Sequence, residues 1–272
     1  MKPITYLIIC LILCKNEGQS QIIGQHIGSQ TLSCGNIGTV AKNSFSSFQN
    51  PGLLAKGQGT SISFSQEIPF LQTALILSTL SVQTEFKSTP LEASFIQLGN
   101  SFYKQQLISL ASAKELGEKL SLGIGLHYLI SQQYQLPTLG NALGSIGLTF
   151  KLNKKLTLAS HVMNLTGAQY KSEKREDVPQ IMRIGLAYQL TQNVLILVEQ
   201  EKMLLQNRRS KLGFIYLLDP KLELRGGALF KPQVWTFGLN LKTSKMRWGL
   251  GVQQHQVLGI SPNIELQWQL SK

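Results

Sequence analysis

The sequence is short of charge: Asp, Glu, Lys and Arg make up 15% of its 272 residues, against about 25% in an ordinary soluble domain. A chain so poorly charged has little with which to cover a water-facing surface. Long apolar runs are missing too. Beyond the N-terminus no stretch approaches the roughly 18 consecutive apolar residues that a membrane-spanning helix needs, and the mean hydropathy is +0.02, which together exclude a polytopic helical membrane protein. Any membrane this chain enters must be crossed by something other than helices. Cysteine is scarce, with Cys10, Cys14 and Cys34 the whole complement.

The opening MKPITYLIICLILCKNEGQSQ places Lys2 ahead of an apolar run from Ile4 to Cys14, with Gly18 and Ser20 at small-residue positions before a cleavage point. This is the pattern of a secretory signal peptide, expected over residues 1–20. Its removal leaves Cys34 alone, so no internal disulfide is expected. The net charge of +12 suits acidic partners such as lipid phosphates, and many basic residues fall in turn-like stretches, KLNKK and KTSK, rather than in one stripe. Nucleic acid is not an expected partner, because no binding module is recognisable.

What the chain does have is alternation. TSISFSQ, KLSLGIGLHYL, SIGLTFK, LTLASHV and RIGLAYQLTQNVLILVEQE place apolar residues at every second position, and the pattern continues through Leu212, Phe214 and Tyr216 to Trp235, Phe237 and Leu239, and on to Ile264, Leu266 and Trp268. A period of two is the mark of a strand with one apolar face. With less regular runs near 71 to 82, 91 to 100 and 105 to 114, about fourteen strands of roughly ten residues are expected, the length a tilted membrane strand requires. Short turns (ELGEK, LNKK, LTQN, LDPK, KTSK) alternate with longer links (GNSFYKQ, QYQLPTLG, LTGAQYKSEKREDVPQ, EKMLLQNRRS and HQVLGISP), as in an up-and-down outer-membrane barrel.

The minority face decides which side is wet. Opposite the apolar residues lie Ser121, Gly123, Gly125 and His127; Arg183, Gly185 and Gln189; Glu223, Arg225 and Gly227; and Arg247, Gly249 and Gly251. A soluble sheet would present Lys and Glu there. A glycine-rich, sparsely charged face suits a crowded lumen, with the apolar face turned to lipid. The predicted fold is therefore all-β, a closed antiparallel up-and-down transmembrane β-barrel. His127, Arg183, Lys211, Glu223, Arg225, Arg247 and Glu265 are expected to face the lumen, the charged ones pairing across it or with a plug. Tyr128, Tyr188, Tyr216, Trp235, Trp248 and Trp268 are expected near the membrane interfaces. A soluble secreted β-protein is the competing reading; it requires the apolar face to fill a dry core.

Between the leader and the first confident strand lies GSQTLSCGNIGTVAKNSFSSFQNPGLLAKGQ, rich in Gly, Ser and Asn, with a turn at Asn50, Pro51 and Gly52. This block resembles the start of FadL-like outer-membrane proteins, and ELGEKLSLGIGLHYL, NKKLTLASHVMNLTG and VPQIMRIGLAYQLTQNVLILVEQEK look like the PorV/PorQ-type branch. The resemblance implies a fourteen-strand barrel in the outer membrane, with residues 21–58 folded back as a plug, residues 59–272 forming the barrel, and Asn50, Pro51 and Gly52 making a turn of the plug. It further implies passage of small hydrophobic or amphipathic compounds or, alternatively, a scaffold or cargo-handling role in a type IX protein secretion system, the linking segment 165 to 180 and the basic turns serving as contact surfaces.

Catalytic chemistry finds no support. His26, His127, His161 and His255 are scattered without metal-ligand spacing, and neither a metal nor a cofactor is expected. His127 and Ser131 share a strand but stand about 13 Å apart at four residues' separation, too far for proton transfer. His161 is read as needing a partner on the lipid side. The Gly-rich GNALGSIG does not precede a helix, so no phosphate loop is indicated, and the protein is not expected to be an enzyme.

Overall fold

The computed structural model describes residues 21–55, 59–169, 178–204 and 206–271; the leader over residues 1–20 lies outside them. Fourteen antiparallel strands close on themselves. They are β1 (Ser61–Glu67), β2 (Leu77–Phe86), β3 (Thr89–Gly99), β4 (Tyr103–Leu116), β5 (Leu120–Gln133), β6 (Leu139–Lys151) and β7 (Leu156–Met163) in the first half. The second half comprises β8 (Ile181–Gln189), β9 (Val194–Met203), β10 (Arg209–Asp219), β11 (Leu222–Phe230), β12 (Val234–Lys242), β13 (Met246–His255) and β14 (Gly259–Gln269). Each strand pairs with its neighbour in sequence, and β1 pairs with β14 from Ser61 opposite Gln269 to Glu67 opposite Asn263. Closure follows from the solvent: in hydrocarbon every unpaired backbone amide is costly, so a sheet can enter only as a ring without edges.

The outer face is the alternating apolar set. On β5, Leu126 is 67% exposed while the adjacent His127 is 3% exposed, and the same contrast runs round the ring. Leu80, Phe95, Ile108, Ile184, Phe214, Phe237 and Leu250 all stand outward. Among the described residues no dry centre gathers the outward leucines, and the chain is a transmembrane β-barrel of the outer-membrane type. Among the described residues no helix is long and apolar enough to cross a membrane.

The two rims differ. One carries turns of two to four residues, as at 87–88, 117–119, 220–221 and 243–245; the other carries the longest links, at 68–76 and 164–180. Links 100–102 and 256–258 on that second rim are shorter than the sequence suggests, because β3, β4, β13 and β14 keep pairing into segments read as loop. The run 71 to 82 also differs. Short 3-10 turns at Pro69–Leu71 and Thr73–Leu75 precede β2, which begins only at Leu77. Pro69 has no N–H to give a ladder, and Phe70 and Leu71 take positive φ, so the chain turns here before it can extend.

Eight strands enclose a bore that side chains alone can fill, whereas sixteen leave a channel. Fourteen fall between, and the space is taken by residues 21–55. Helices α1 (Ser29–Leu32) and α2 (Ser46–Gln49) and a 3-10 turn at Pro51–Ala55 lie in this segment, nearly all of it buried.

Candidate functional site: the occupied bore

The inner wall and the N-terminal segment fit backbone to backbone. Gly35 adopts φ +70° and its N–H donates to Thr236 Oγ1 at 2.8 Å. A Cβ on Gly227 would overlap the Gly35 backbone, and a Cβ on Gly35 would overlap the Leu212 carbonyl oxygen, so two main chains touch here only because neither residue has a side chain. The same occurs at the opposite wall. A Cβ on Gly123 would overlap the Pro51 carbonyl, and one on Gly147 would overlap the Asn50 side chain. Asn50 holds that turn: its Oδ1 accepts the Gly52 N–H at 2.9 Å while its Nδ2 donates to Thr39 O at 2.6 Å and Leu148 O at 3.3 Å. The glycine-rich minority face is thus a groove for this segment.

Three inward carboxylates grip the segment around the ring. Glu265 on β14 accepts from Gln30 Nε2 at 2.5 Å, Ser44 Oγ at 2.6 Å, and Ser29 Oγ and the Gln30 N–H at 3.1 Å each. Glu92 on β3 accepts from the Ser47 Oγ at 2.6 Å and the Ser47 N–H at 3.1 Å. Glu199 on β9 accepts from the Thr39 N–H at 3.2 Å. Arg225 returns a bond, its Nη1 donating to Gln30 O at 2.9 Å, and its Nη2 pairs with Glu223 at 2.7 Å. Arg247 Nη1 donates to Gln30 Oε1 at 3.3 Å.

A buried charge cluster occupies β8 to β10. Arg183 Nε meets Glu201 at 2.8 Å, and Lys211 Nζ meets Glu199 at 2.7 Å, Glu201 at 2.9 Å and Asn36 O at 3.2 Å. Cross-strand register sets His161, Arg183, Glu201 and Arg209 in one row. His161 is therefore corrected: it faces inward and is fully buried, because its odd position shares the parity of Ala159 and Met163 rather than that of Leu158 and Val162. His127 finds its partners across the sheet, not along its own strand, with Ser109 and Ser145 each at 2.8 Å from a ring nitrogen. Among the described residues no group of three or more His, Cys, Asp and Glu is placed to hold a metal.

Towards the rim with the longest links, the bore changes character. Leu77, Ile96, Leu98, Leu107, Leu129, Leu143, Met163, Ile181 and Met203 all point inward and pack with Ile22, Ile23, Ile27, Phe45 and Phe48 of the segment. Register makes the layer continuous: Ile96 lies opposite Leu107, Leu107 opposite Leu129, Met163 opposite Ile181, and Ile181 opposite Met203. The link 164–180 adds Val178 to this layer. Asn164 holds its two ends together, donating to Ala168 O at 3.1 Å and Val178 O at 3.0 Å. Residues 170–177 of that link lie outside the described residues.

Of the aromatics, Tyr188, Tyr216, Trp248 and Trp268 stand on the outer face in the half with the short turns, and Tyr128 and Trp235 in the other half. Just past Tyr128 and Ile108 the outward Gln97 and Gln106 bond to each other at 2.9 Å, which marks an edge of the apolar belt. Sequence reading missed Glu92, Glu199 and Glu201, although the last two follow directly from extending the parity of Val194, Ile196 and Val198. It also missed the inward apolar layer and Asn164.

No protein-family model and no curated protein matches the sequence. Solved structures do match in fold. The toluene transporter TbuX of Ralstonia pickettii superposes with a TM-score of 0.68 at 11% identity over 90% of this chain and 98% of that one. The toluene transporter TodX of Pseudomonas putida gives 0.61 at 11% identity over 89% and 96%, and a FadL homologue of Pseudomonas aeruginosa gives 0.62 at 8% over 90% and 98%. The chain shares its fold with these proteins.

Proposed function

We propose that this barrel passes small hydrophobic or amphipathic compounds across the outer membrane, with residues 21–55 acting as the plug that gates it. One observation carries the reading: the inward apolar layer running from Leu77 to Met203. A bore built for water and polar solutes has no use for a ring of buried leucines, isoleucines and methionines facing its interior. Such a layer can exchange Ile22, Ile23, Phe45 and Phe48 for an apolar guest at little net loss of burial. Compounds with a polar end find donors one row below. Arg183 Nη1 and Nη2 and both ring nitrogens of His161 are buried without a partner among the described residues, next to Met163 and Ile181 in register. The neighbours in fold are toluene transporters and a FadL homologue, in line with an apolar cargo.

The test is uptake of a radiolabelled monoaromatic hydrocarbon and of a polar sugar by cells with and without the protein. Faster hydrocarbon entry with unchanged sugar entry is expected; equal entry of hydrocarbon in both strains rejects the reading. A second reading, cargo handling in a type IX secretion system, draws on exposed apolar side chains at the link-bearing rim, where Phe102 and Tyr134 stack edge-on with centroids 5.7 Å apart and Val257 is 82% exposed. Co-purification of secretion components that is lost in F102S/V257S supports it, and co-purification unaffected by the double variant counts against it.

A further inference from the structure

The short-turn rim carries a feature that passage through the bore does not use. The turns at 220–221 and 243–245 lie side by side, tied by the Lys242 N–H donating to Lys221 O at 2.7 Å. Between them opens a cleft of about 420 Å³ lined by Pro220, Lys221, Lys242, Thr243 and Ser244. Lys221, Lys242 and Lys245 are exposed, and none forms an ion pair among the described residues. Of the acidic groups nearby, Asp219 Oδ1 accepts the Lys221 N–H at 3.0 Å, and Glu223 pairs with Arg225 while also attracting Lys242 at longer range. Two ammonium groups, Lys221 and Lys242, line this concavity with the Ser244 side chain, Lys245 follows on the same turn, and the Thr243 hydroxyl is bonded to Met246 within that turn. A cationic concavity of this kind matches a phosphate monoanion.

The surroundings say which phosphate. Trp248 and Trp268 stand on the outer face above this cleft, Trp268 opposite Met246 and Trp248 opposite Leu241 in register. Lys245 is three residues from Trp248, about 10 Å along the strand or about 7 Å in depth at a 45° tilt. That depth matches the headgroup layer, which adds about 5–8 Å to each side of the hydrocarbon. An acyl chain leaving the cleft would lie directly on Leu239, Leu241 and Leu250, all exposed to the lipid side. We propose that the cleft between the 220–221 and 243–245 turns binds the headgroup of an anionic phospholipid of the adjoining leaflet, anchoring that rim to the membrane.

The experiment is native mass spectrometry of the detergent-purified full chain offered phosphatidylglycerol or phosphatidylcholine. Retention of phosphatidylglycerol over phosphatidylcholine is expected, by about fivefold per engaged lysine. The preference should collapse in K221Q/K242Q/K245Q, with the folded band on an unboiled gel unchanged. A second variant, K151Q/K154Q, removes two charges at the 152–155 turn and its flank and is expected to leave most of the preference intact. Equal retention of both lipids, an unaltered preference in the triple variant, or an equal loss in the K151Q/K154Q control each overturns the proposal. Displacement of the lipid by millimolar inorganic phosphate alone would show a site for free phosphate and would overturn the lipid assignment.

Discussion

Two stretches of the same bore hold the same segment by different physics. In the middle and towards the short turns, residues 29–55 meet the wall mainly through main chain and charge, with Gly35 against Gly227, Pro51 against Gly123 and Glu265 accepting four donors, beside two small apolar patches, Ile37 and Val40 with Ala159, Ala187 and Leu197, and Leu54 with Ala111 and Ala113. Towards the long links, residues 22–27, Phe45 and Phe48 meet it through apolar side chains. The first contact is directional and intolerant of a single added atom. The second is non-directional, and another apolar body can take its place. A gate that an apolar compound can open needs both, one end that yields to the compound and one that keeps register.

The largest effect should come from the charge cluster. Glu201→Ala leaves Arg183 and Lys211 buried with one counter-charge fewer, and about 3–5 kcal/mol of stability should be lost, read as a lower midpoint for thermal conversion of the folded gel band. Next, Gly227→Val should cost about 1–3 kcal/mol by overpacking and expose residues 21–55 to added protease. Gly144→Val, where the nearest atom to a new Cβ is the Thr166 methyl at 3.8 Å, should change neither reading. Smaller still, Ile96→Val in the apolar layer should cost about 0.5–1.5 kcal/mol and leave protease resistance intact. If Ile96→Val loosened the segment as much as Gly227→Val, the division between the two stretches would be wrong. Finally, all three tryptophans face outward, so lipids brominated on the acyl chain should quench their fluorescence strongly and aqueous iodide weakly; the reverse ranking would place the apolar face elsewhere.

How much of this was legible depended on which side of the sheet was polar. Where the inner wall is mostly Gly, small polar or charged, as on β5, β12 and β13, alternation in the sequence marks both faces and the strands stand out. On β2, β3 and β4 the inner wall near the long links is Leu77, Ile96, Leu98 and Leu107, apolar like the outer face, so the period of two fades and those runs look irregular. The same fading hid the apolar layer itself. His161 was misplaced through a parity slip on one strand. Partners such as Ser109 and Ser145 of His127 come from strand register, which one strand's sequence does not contain. The sequence suggests a turn at Asn50, Pro51 and Gly52, but nothing in it says that Gly123 and Gly147 lie against these residues.

Planar-bilayer conductance of the full chain, beside a chain lacking residues 21–55 and beside Gly227→Val, tests most directly whether the segment closes the bore. The full chain should be nearly silent, the shortened chain should conduct steadily, and Gly227→Val should flicker between the two. Steady current through the full chain, equal to that of the shortened one, would contradict a bore closed by its own N-terminal segment.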